Sequence, residues 1–406
     1  MPAGFVLLCF TARRLLFALA AASRSTADRS PDDATVPTVT LLVPARNEVT
    51  SAEAMLRSLA ALDFPADRLT IVLIDDCSDD ATATVFYDWS TTRQRAHVLR
   101  LPQPVGKYKA LNEGIRSSPE TTIVAVCDAD VRPHRAWLSR LIEPFVDPQV
   151  GAVAGYLSPV NADSGMFARY AAVESWVHQL VTSAGKAALG LDPPTLGACA
   201  YRRTALDEVG WFGSSVSGED VRISSALTRA GWRIRFAEAA VADNAVVHAW
   251  QDYWHQHLRW ARNVFSSRPA ATGAKSGRPL SVGKRIESQM SAAGYADRVA
   301  LLVVLAAVRA RVLPRWLPQA YVVVAGLEVV VAVAKAGHAR RLPRFIAATV
   351  GLFPVDVIAS TAAAVAQILG RPRTWRQPKR PHRDEPWSRA LPGRRFAAGE
   401  TEMGTD

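Results

Sequence analysis

The sequence predicts an α/β fold with a mostly parallel central sheet, followed by membrane helices. Three observations carry this prediction. Short apolar runs alternate with helical patterns up to about residue 127, acidic residues directly follow two of those runs, and apolar residues fill long stretches between 299 and 369. Strands that alternate with helices are typical of parallel sheets, whose ligands bind beyond the carboxyl ends of the strands.

The pattern of apolar residues and breakers predicts the elements in chain order. Thr50 with Glu53 three residues later forms a capping-box pattern, which predicts a helix start there. Strands are predicted at 39–43, 69–74, 97–101, 122–127, 150–156, 199–202, 232–236 and 241–247. Helices are predicted at 50–62, 81–89, 107–116, 163–186, 221–230 (directly after Gly218-Glu219-Asp220) and 250–265.

Three apolar segments follow the α/β region, at 299–308, 316–334 and 345–369. The first is short for a membrane span of about 20 residues. The other two carry Glu328 and Asp356, so we expect them to pack against each other or to line a polar path. At the N-terminus, Arg13 and Arg14 interrupt the apolar stretch 5–22. That stretch is therefore a poor span, an interfacial helix or a mis-assigned start, and a cleavable signal peptide is disfavoured.

Composition narrows the class of partner. The chain has 406 residues, is 49% hydrophobic and has a formal net charge of +11. The basic residues are scattered, without interleaved aromatics, and many flank the apolar stretches, so we expect anionic lipids rather than nucleic acid as partners. The four cysteines lie far apart without a Cys-x-x-Cys spacing, which predicts reduced thiols and neither a disulfide framework nor a zinc site.

Carboxylates follow two of the predicted strands directly. Asp75 and Asp76 come after the strand at 69–74, and Asp128 and Asp130 come after the strand at 122–127. Because the carboxyl ends of parallel strands meet at one edge of a sheet, we expect these groups to converge. Carboxylate oxygens suit hard cations such as Mg²⁺ or Mn²⁺, which in turn bind diphosphate oxygens.

Taken together, the polar clusters resemble the membrane-anchored inverting glycosyltransferases of family 2. That family has the GT-A nucleotide-diphospho-sugar transferase fold and includes cellulose, hyaluronan and chitin synthases and ceramide glucosyltransferase. The motifs that carry the resemblance are Pro-Ala-Arg-Asn-Glu at 44–48, Asp-Asp-Cys-Ser-Asp at 75–79, Gly-Lys-Tyr-Lys-Ala-Leu-Asn at 106–112, Asp-Ala-Asp at 128–130, Gly-Glu-Asp at 218–220 and Gln-His-Leu-Arg-Trp at 256–260.

The resemblance implies a role for each motif on the donor side. Carboxylates suit the imide N–H of uracil and the hydroxyls of ribose, and the family commonly has an aromatic residue where Arg46 stands. The residues expected to bind the donor nucleotide are Pro44, Arg46, Glu48, Asp75, Asp76, Lys107 and Asp128.

The resemblance also assigns the reacting groups. Asp128 and Asp130 are expected to hold Mg²⁺ or Mn²⁺, which neutralises charge on the departing UDP. Asp220 is the expected base for the acceptor hydroxyl. In the last motif, Gln256, Arg259 and Trp260 share a helix face and are expected to bind acceptor and diphosphate, with Arg259 donating to phosphate oxygens and Trp260 offering a flat surface to a sugar ring. His255 and His257 are expected to be structural.

The expected function is transfer of a sugar from a UDP-sugar to a lipid or lipid-linked acceptor at the cytosolic face of the cell membrane. Processive polysaccharide synthesis is the first alternative, since both groups share the Gln-x-x-Arg-Trp motif. A catalytically inactive GT-A-like binding protein is the second, and the joint presence of Asp128, Asp130, Asp220 and Arg259 disfavours it. A nucleotidyltransferase is disfavoured because residues 43–48 lack a Gly-rich triphosphate loop.

Four regions are thus predicted along the chain: an apolar segment with linker at 1–37, a GT-A catalytic domain at 38–270, membrane-associated helices at 271–370, and a basic disordered tail at 371–406. Within the catalytic domain, the segment 163–186 carries Tyr170, Trp176 and His178. It is interpreted as an acceptor wall or a membrane-surface helix, with ordinary core packing as the alternative.

Overall fold

The computed structural model describes residues 2–23, 36–213, 218–266 and 280–369. The predicted linker between 24 and 35 and the predicted tail lie outside the described residues. Eight strands form one sheet in the order β3-β2-β1-β4-β7-β6-β8-β5. They are β1 Val39–Ala45, β2 Leu69–Asp75, β3 Ala96–Arg100, β4 Ile123–Cys127, β5 Arg132–Pro133, β6 Val150–Pro159, β7 Ala198–Arg202 and β8 Arg233–Asn244.

Helices cover both faces of this sheet and continue into an apolar bundle. They are α1 Pro2–Ser23, α2 Val49–Ala60, α3 Thr82–Ser90, α4 Lys107–Ser117, α5 Trp137–Ile142, α6 Met166–Trp176, α7 Ala184–Ala188, α8 Arg203–Val209, α9 Glu219–Arg229, α10 Trp250–Ser266, α11 Val282–Ala292, α12 Ala296–Arg309, α13 Trp316–Lys335 and α14 Leu342–Ile368. A π-helical stretch, Val177–Ser183, joins α6 to α7.

The sheet brings the polar motifs to one edge. Strands β1 to β4 pair in parallel, so the residues after β1, β2 and β4 lie at the same carboxyl edge. Strand β7 pairs antiparallel with β4, with Cys127 opposite Ala198, so the loop before β7 reaches that edge from the opposite direction. Strand β8 runs parallel to β6. The predicted α/β class with a mostly parallel sheet is confirmed.

Two apolar layers hold the helices on the sheet. One joins α2, α3 and α5 to one face, and its members include Leu41, Met55, Phe86 and the fully buried Trp137. The other joins α4, α8 and α9 to the opposite face. Because both faces are covered, the central strands are apolar at nearly every position, as β2 and β4 show by being buried throughout.

Two local predictions are wrong. The capping box at Thr50 is not formed: α2 begins at Val49 after the N-cap residue Glu48, and the loop after β2 supplies the acceptors, with Asp80 Oδ2 taking the Val49 N–H at 3.2 Å. The two strands predicted at 232–236 and 241–247 are one strand, β8, because both halves pair with β6 across an irregularity between Gly155 and Tyr156.

The N-terminal helix α1 packs into the C-terminal bundle, and its two arginines are paired there. Arg13 binds Glu287 of α11 at 2.7 Å, and Arg14 binds Asp297 of α12 at 2.9 Å and Glu328 of α13 at 2.5 Å. These ion pairs explain how an apolar helix accommodates two cations. Tight packing also fixes α1, since a Cβ at Gly185 of α7 would lie 2.6 Å from the Phe17 carbonyl oxygen.

Three described helices are long and apolar enough to cross a membrane: α1, α13, and the 28-residue segment Ala339–Ala366 that contains most of α14. The pair α11 and α12 also passes when taken together, with a bend of 72° between them. The two acidic residues predicted to lie in this region are ion-paired, Glu328 with Arg14 and Asp356 with Arg298. The C-terminal apolar helices are therefore candidate membrane spans.

Candidate active site

A large cavity of about 2330 Å³ opens at the carboxyl edge of the sheet and continues toward the apolar helices. Apart from Asp75, every residue that the sequence predicted for the site lines this cavity. They are Pro44, Arg46, Glu48, Asp76, Lys107, Asp128, Asp130, Asp220, Gln256, Arg259 and Trp260. The cavity therefore collects groups that are up to 216 residues apart in the chain, from Pro44 to Trp260.

Lys107 is the central cation of this edge. It is the first residue of α4, after Gly106 with a φ of 86°. Its Nζ lies 2.9 Å from Asp128 Oδ1 and 3.0 Å from Glu219 Oε1. Burial alone would lower the Lys107 pKa, but the carboxylates of Asp128, Asp220 and Glu219 raise it well above its usual value. Lys107 is thus a fixed positive charge between two acidic motifs.

Asp128 fits its position only because residue 197 is a glycine. The Asp128 N–H donates to the Gly197 carbonyl at 2.8 Å, and a Cβ on Gly197 would lie 2.3 Å from Asp128 Oδ2. Burial raises the pKa of Asp128, Lys107 opposes that shift, and Asp130 adds to it. Gly197 was not predicted to belong to the site, because its effect on Asp128 acts through space and has no signature in the local sequence.

These residues fit the divalent cation that the fold family implies. Asp128 and Asp130 offer hard carboxylate oxygens two positions apart, and Asp130 is half-buried. Asp128 Oδ1 is buried and accepts no hydrogen bond, although it forms the ion pair with Lys107. A carboxylate oxygen with lone pairs left over suits a metal ligand.

Asp220 lies one residue beyond Glu219 at the start of α9, after Gly218 in the left-handed conformation. Its backbone carbonyl accepts a hydrogen bond from Ser224 Oγ of the same helix at 2.6 Å and one from Thr195 Oγ1 at 3.3 Å, and the second ties α9 to the loop before β7. Within the described chain, its carboxyl group has no hydrogen-bond or ion-pair partner. Burial raises the Asp220 pKa to about 7, with Lys107 opposing and Glu219 and Asp128 adding to the shift.

Asp75 and Asp76 differ in their surroundings. Asp75 is fully buried beneath the cavity wall, where Oδ1 accepts the Ser78 N–H at 3.2 Å. Asp76 lines the cavity and accepts the N–H groups of Val105 at 2.7 Å and Gly106 at 2.9 Å. Asp76 therefore fixes the turn that carries Lys107, a function that its place in the sequence did not reveal.

The first loop is held by hydrogen bonds around Glu48. The Glu48 N–H donates to Thr82 Oγ1 at 2.9 Å, and Glu48 Oε2 accepts from Ser51 Oγ at 2.8 Å. Arg46, two residues earlier, is exposed at the cavity mouth. The loop is thus rigid at Glu48 and presents Arg46 to an incoming ligand.

Helix α10 supplies the last motif. Arg259 Nε is buried without a hydrogen-bond partner among the described residues, and burial lowers the Arg259 pKa while Glu219 opposes the shift. Trp260 is 41% exposed, and its ring lies 5.2 Å from that of His257. An unpartnered guanidinium edge beside an accessible indole is suited to an anionic ligand that carries a sugar.

His257 lies at the cavity wall, and hydrogen bonds to its own helix and to α6 hold it in place. It is 2% exposed, its Nδ1 lies 2.9 Å from the Tyr253 carbonyl oxygen, and its Nε2 lies 2.9 Å from Glu174 Oε2. Glu174, His257 and Asp356 are close enough to hold a metal ion. However, both ring nitrogens face acceptors and Asp356 is paired with Arg298 at 3.0 Å, so the three residues form an ion-pair network between α6, α10 and α14.

Comparisons with known proteins agree with this geometry. A family model described as "Glycosyltransferase like family 2" matches residues 37–263. The "Probable glycosyltransferase YdaM" of Bacillus subtilis (strain 168) is 28% identical over 234 residues, 56% of this chain and 55% of that protein. The "N-acetylglucosaminyltransferase" of Neorhizobium galegae is 32% identical over 246 residues, 58% of this chain and 56% of that protein. The chain spans about half the length of these curated relatives.

A solved structure shares the architecture. The mannosyltransferase PcManGT from Pyrobaculum calidifontis, in complex with GDP-Man and Mn²⁺, aligns with a TM-score of 0.62 and 22% identity, covering 91% of this chain and 99% of that chain. At this identity the likeness concerns the fold. The expectation of a GT-A-like fold is confirmed.

Proposed function

This chain belongs to glycosyltransferase family 2, and we propose that it transfers a sugar from a UDP-sugar to an acceptor hydroxyl in one inverting displacement. One observation carries the proposal: Lys107 joins Asp128 and Glu219 across a cavity where the carboxyl group of Asp220 has no partner within the described chain. A charged cluster for the leaving diphosphate and a free base beside it are what a single displacement requires.

On the donor side, the residues of this cluster bind and orient the diphosphate. Asp128 and Asp130 would hold Mg²⁺ or Mn²⁺, which supplies positive charge against the leaving group when bound. Lys107 and Arg259, whose Nε has no hydrogen-bond partner among the described residues, donate to phosphate oxygens. Arg46 and Asp76, both at the cavity wall, lie where the nucleoside would be recognised.

On the acceptor side, Asp220 takes the proton. The acceptor oxygen forms a bond to the anomeric carbon while the bond from that carbon to the diphosphate oxygen breaks, and UDP leaves. The proton of the acceptor hydroxyl passes to a carboxylate oxygen of Asp220. A carboxyl group with a pKa of about 7 is half ionised near neutral pH, and general bases work best with a pKa near the operating pH.

The acceptor is proposed to be a lipid or a lipid-linked saccharide at the cytosolic membrane face. The cavity that holds the polar cluster continues between α13 and α14, where Val322, Val329, Ile346 and Val350 line it. A branch lined by apolar helices that are themselves candidate spans suits a hydrocarbon chain. N-acetylglucosamine is the first sugar to test, because several relatives bear the name N-acetylglucosaminyltransferase.

The test is transfer by membranes that carry the protein, using a panel of radiolabelled UDP-sugars beginning with UDP-N-acetylglucosamine. We expect lipid-extractable product, whereas a polymeric product would favour processive synthesis. Asp220→Asn should lower the transfer rate by about 10²- to 10⁴-fold while UDP still binds. Asp130→Asn should weaken metal-dependent UDP binding.

The matched control is Asp88→Asn, an exposed carboxylate on α3 outside the cavity. It should leave both measurements unchanged. Transfer by Asp220→Asn at the rate of this control would remove Asp220 as the base. Absence of transfer from every UDP-sugar, with no UDP binding in the presence of Mn²⁺, would sink the proposal itself.

A further inference from the structure

At one end of the cavity, two cations share a single carboxylate. Lys186 of α7 lies 2.7 Å from Glu287 Oε1, and Arg13 of α1 binds the same carboxylate with Nη2 at 2.7 Å and Nε at 2.8 Å. The neighbouring Lys284 has its own carboxylate, Asp192, at 2.7 Å. Arg13 and Lys186 are therefore the two cations here that depend on one carboxylate, Glu287.

Arg13 and Lys186 are largely buried. The side chain of Lys186 is 7% exposed and that of Arg13 17%, yet both line the cavity. Burial lowers the Lys186 pKa, and Arg13 lowers it further while Glu287 opposes the shift. Holding two buried cations on one carboxylate is unfavourable unless a further anion is supplied.

A histidine for which the described residues offer no partner lies beside these cations. His178 belongs to the π-helical stretch Val177–Ser183, a kind of helical irregularity that often marks functional sites. Its side chain is exposed to the cavity and has no hydrogen-bond or ion-pair partner in the described part of the chain. Desolvation by the cavity wall, together with Lys186 and Arg13, lowers its pKa to about 4, so the ring is neutral and keeps one N–H to donate.

We propose that Arg13, His178 and Lys186 form a subsite for an anionic group, a phosphate or a carboxylate, on the acceptor lipid. Resting on the proposed function, this assigns the acceptor as an amphiphile with three parts: an apolar chain between α13 and α14, an anionic group at Arg13, His178 and Lys186, and a hydroxyl directed to Asp220. The anion would give Arg13 and Lys186 a second negative partner beside Glu287 and accept the His178 N–H.

The experiment measures binding without donor, so that its result is readable whether or not sugar transfer is found. The protein in non-ionic detergent is titrated with dodecyl phosphate, dodecyl β-glucoside and inorganic phosphate, and the midpoint of thermal unfolding is followed. We expect dodecyl phosphate to raise this midpoint at concentrations where dodecyl β-glucoside has no effect. Equal stabilisation by both detergents would overturn the subsite.

Two variants report on the named residues. Lys186→Gln should weaken dodecyl phosphate binding by about 10- to 100-fold, the range for losing one charge-assisted hydrogen bond. His178→Ala should weaken dodecyl phosphate binding by about 3- to 10-fold. Because the His178 side chain has no hydrogen bond to the described residues, we expect this variant to fold normally. His97→Ala on the exposed face of β3 is the matched control.

Unchanged dodecyl phosphate binding in His178→Ala would overturn the assignment of His178. Inorganic phosphate that competes at the same concentration as dodecyl phosphate would assign the subsite to a free anion and overturn the lipid acceptor. The two proposals can fail separately. If no sugar transfer is found, but the wild-type protein binds dodecyl phosphate and Lys186→Gln does not, the result counts against the proposed function alone.

Discussion

Asp220 is set apart from the other carboxylates of the cavity by its ionisation. Lys107 pairs directly with Asp128 and Glu219, whereas Asp220 has no partner within the described residues and burial raises its pKa to about 7. Glu219 shows the contrast: burial alone would raise its pKa, but Lys107 and backbone hydrogen bonds lower it. Neighbouring acidic residues are thereby given different protonation states near neutral pH.

This difference predicts the pH dependence of transfer. Because only ionised Asp220 can accept a proton, kcat/KM should fall about tenfold for each pH unit below about 7 and should level off above it. Initial rates between pH 5.5 and 8.5, at saturating Mn²⁺, check this. If kcat/KM stays constant down to pH 5.5, Asp220 is not a general base with a pKa of about 7.

Gly197 provides a second test at the scale of one residue. Gly197→Ala places a Cβ 2.3 Å from the Asp128 carboxylate, so Asp128 has to move away from the cation it is expected to bind. We expect metal-dependent UDP binding to weaken by roughly tenfold or more, since a displaced ligand loses at least one charge-assisted contact. Isothermal titration with UDP and Mn²⁺ measures it.

Gly283→Ala is the matched control, because Gly283 does not line the cavity and a Cβ there meets only Leu191 Cδ2 at 3.6 Å, an ordinary contact. If Gly197→Ala binds UDP and Mn²⁺ as tightly as Gly283→Ala does, the position of Asp128 is not what governs binding.

The sequence predicted those cavity residues whose chemistry follows from residue type and from their spacing along the chain. Asp128 and Asp130 follow a buried strand, and Gln256, Arg259 and Trp260 fall on one helical face, so both groups were predictable to reach the cavity. Glu219 and Gly197 were missed. Their importance comes from a through-space ion pair with Lys107 and a through-space collision with Asp128, neither of which has a signature in the local sequence.

At the scale of elements, strands with strong apolar runs were predictable and their boundaries were not. The runs at 69–74 and 122–127 correspond to β2 and β4, because strands buried on both faces have no polar positions to blur the pattern. The single strand β8 was predicted as two because its irregularity at 238–240 resembles a turn in sequence. Only pairing of both halves with β6 shows that the chain direction is kept.

The docking of α1 on the bundle gives a prediction about element packing. Arg14→Met leaves Glu328 and Asp297 buried, and removing one partner from a buried ion pair costs about 3–5 kcal/mol. Glu328→Met should cost less, since Arg14 keeps Asp297. The double variant, Arg14→Met with Glu328→Met, should lose less stability than the two single variants lose together. The reason is that it also removes the Glu328 carboxylate, which Arg14→Met alone leaves buried without its cation.

Unfolding of the purified protein in detergent, monitored by circular dichroism, measures these differences. Arg309→Met, at an exposed arginine without partners among the described residues, is the control and should be close to neutral. Strict additivity of the two single changes would show that Arg14 and Glu328 do not stabilise each other.

On the scale of the whole molecule, the cavity joins two environments that the sequence keeps far apart. The acidic edge of the sheet comes from residues before 221, and the apolar branch comes from α13 and α14. The apolar helices that are candidate spans and the α/β domain were separately predictable from the sequence. Their connection was not, because the ion pairs that position α1 against α11, α12 and α13 join residues 274 to 314 positions apart.

This connection predicts that filling the apolar branch will affect only acceptors with long chains. Gly326 of α13 lines the cavity, and a Cβ there would meet nothing within 4 Å, so Gly326→Leu should fit without strain and occupy the space proposed for the chain. KM for a long-chain acceptor should rise roughly tenfold, the equivalent of about two methylene groups losing their burial. KM for a short-chain analogue and for the UDP-sugar should not change.

The comparison is made with one acceptor head group on alkyl chains of increasing length, in the wild-type protein and in Gly326→Leu. Val323→Leu is the matched control, since Val323 is 70% exposed on the same helix and does not line the cavity. If the branch holds the chain, KM in the wild-type protein decreases as the chain lengthens, and Gly326→Leu removes that decrease while Val323→Leu keeps it. Equal loss of transfer for short and long chains in Gly326→Leu would place the acceptor chain elsewhere.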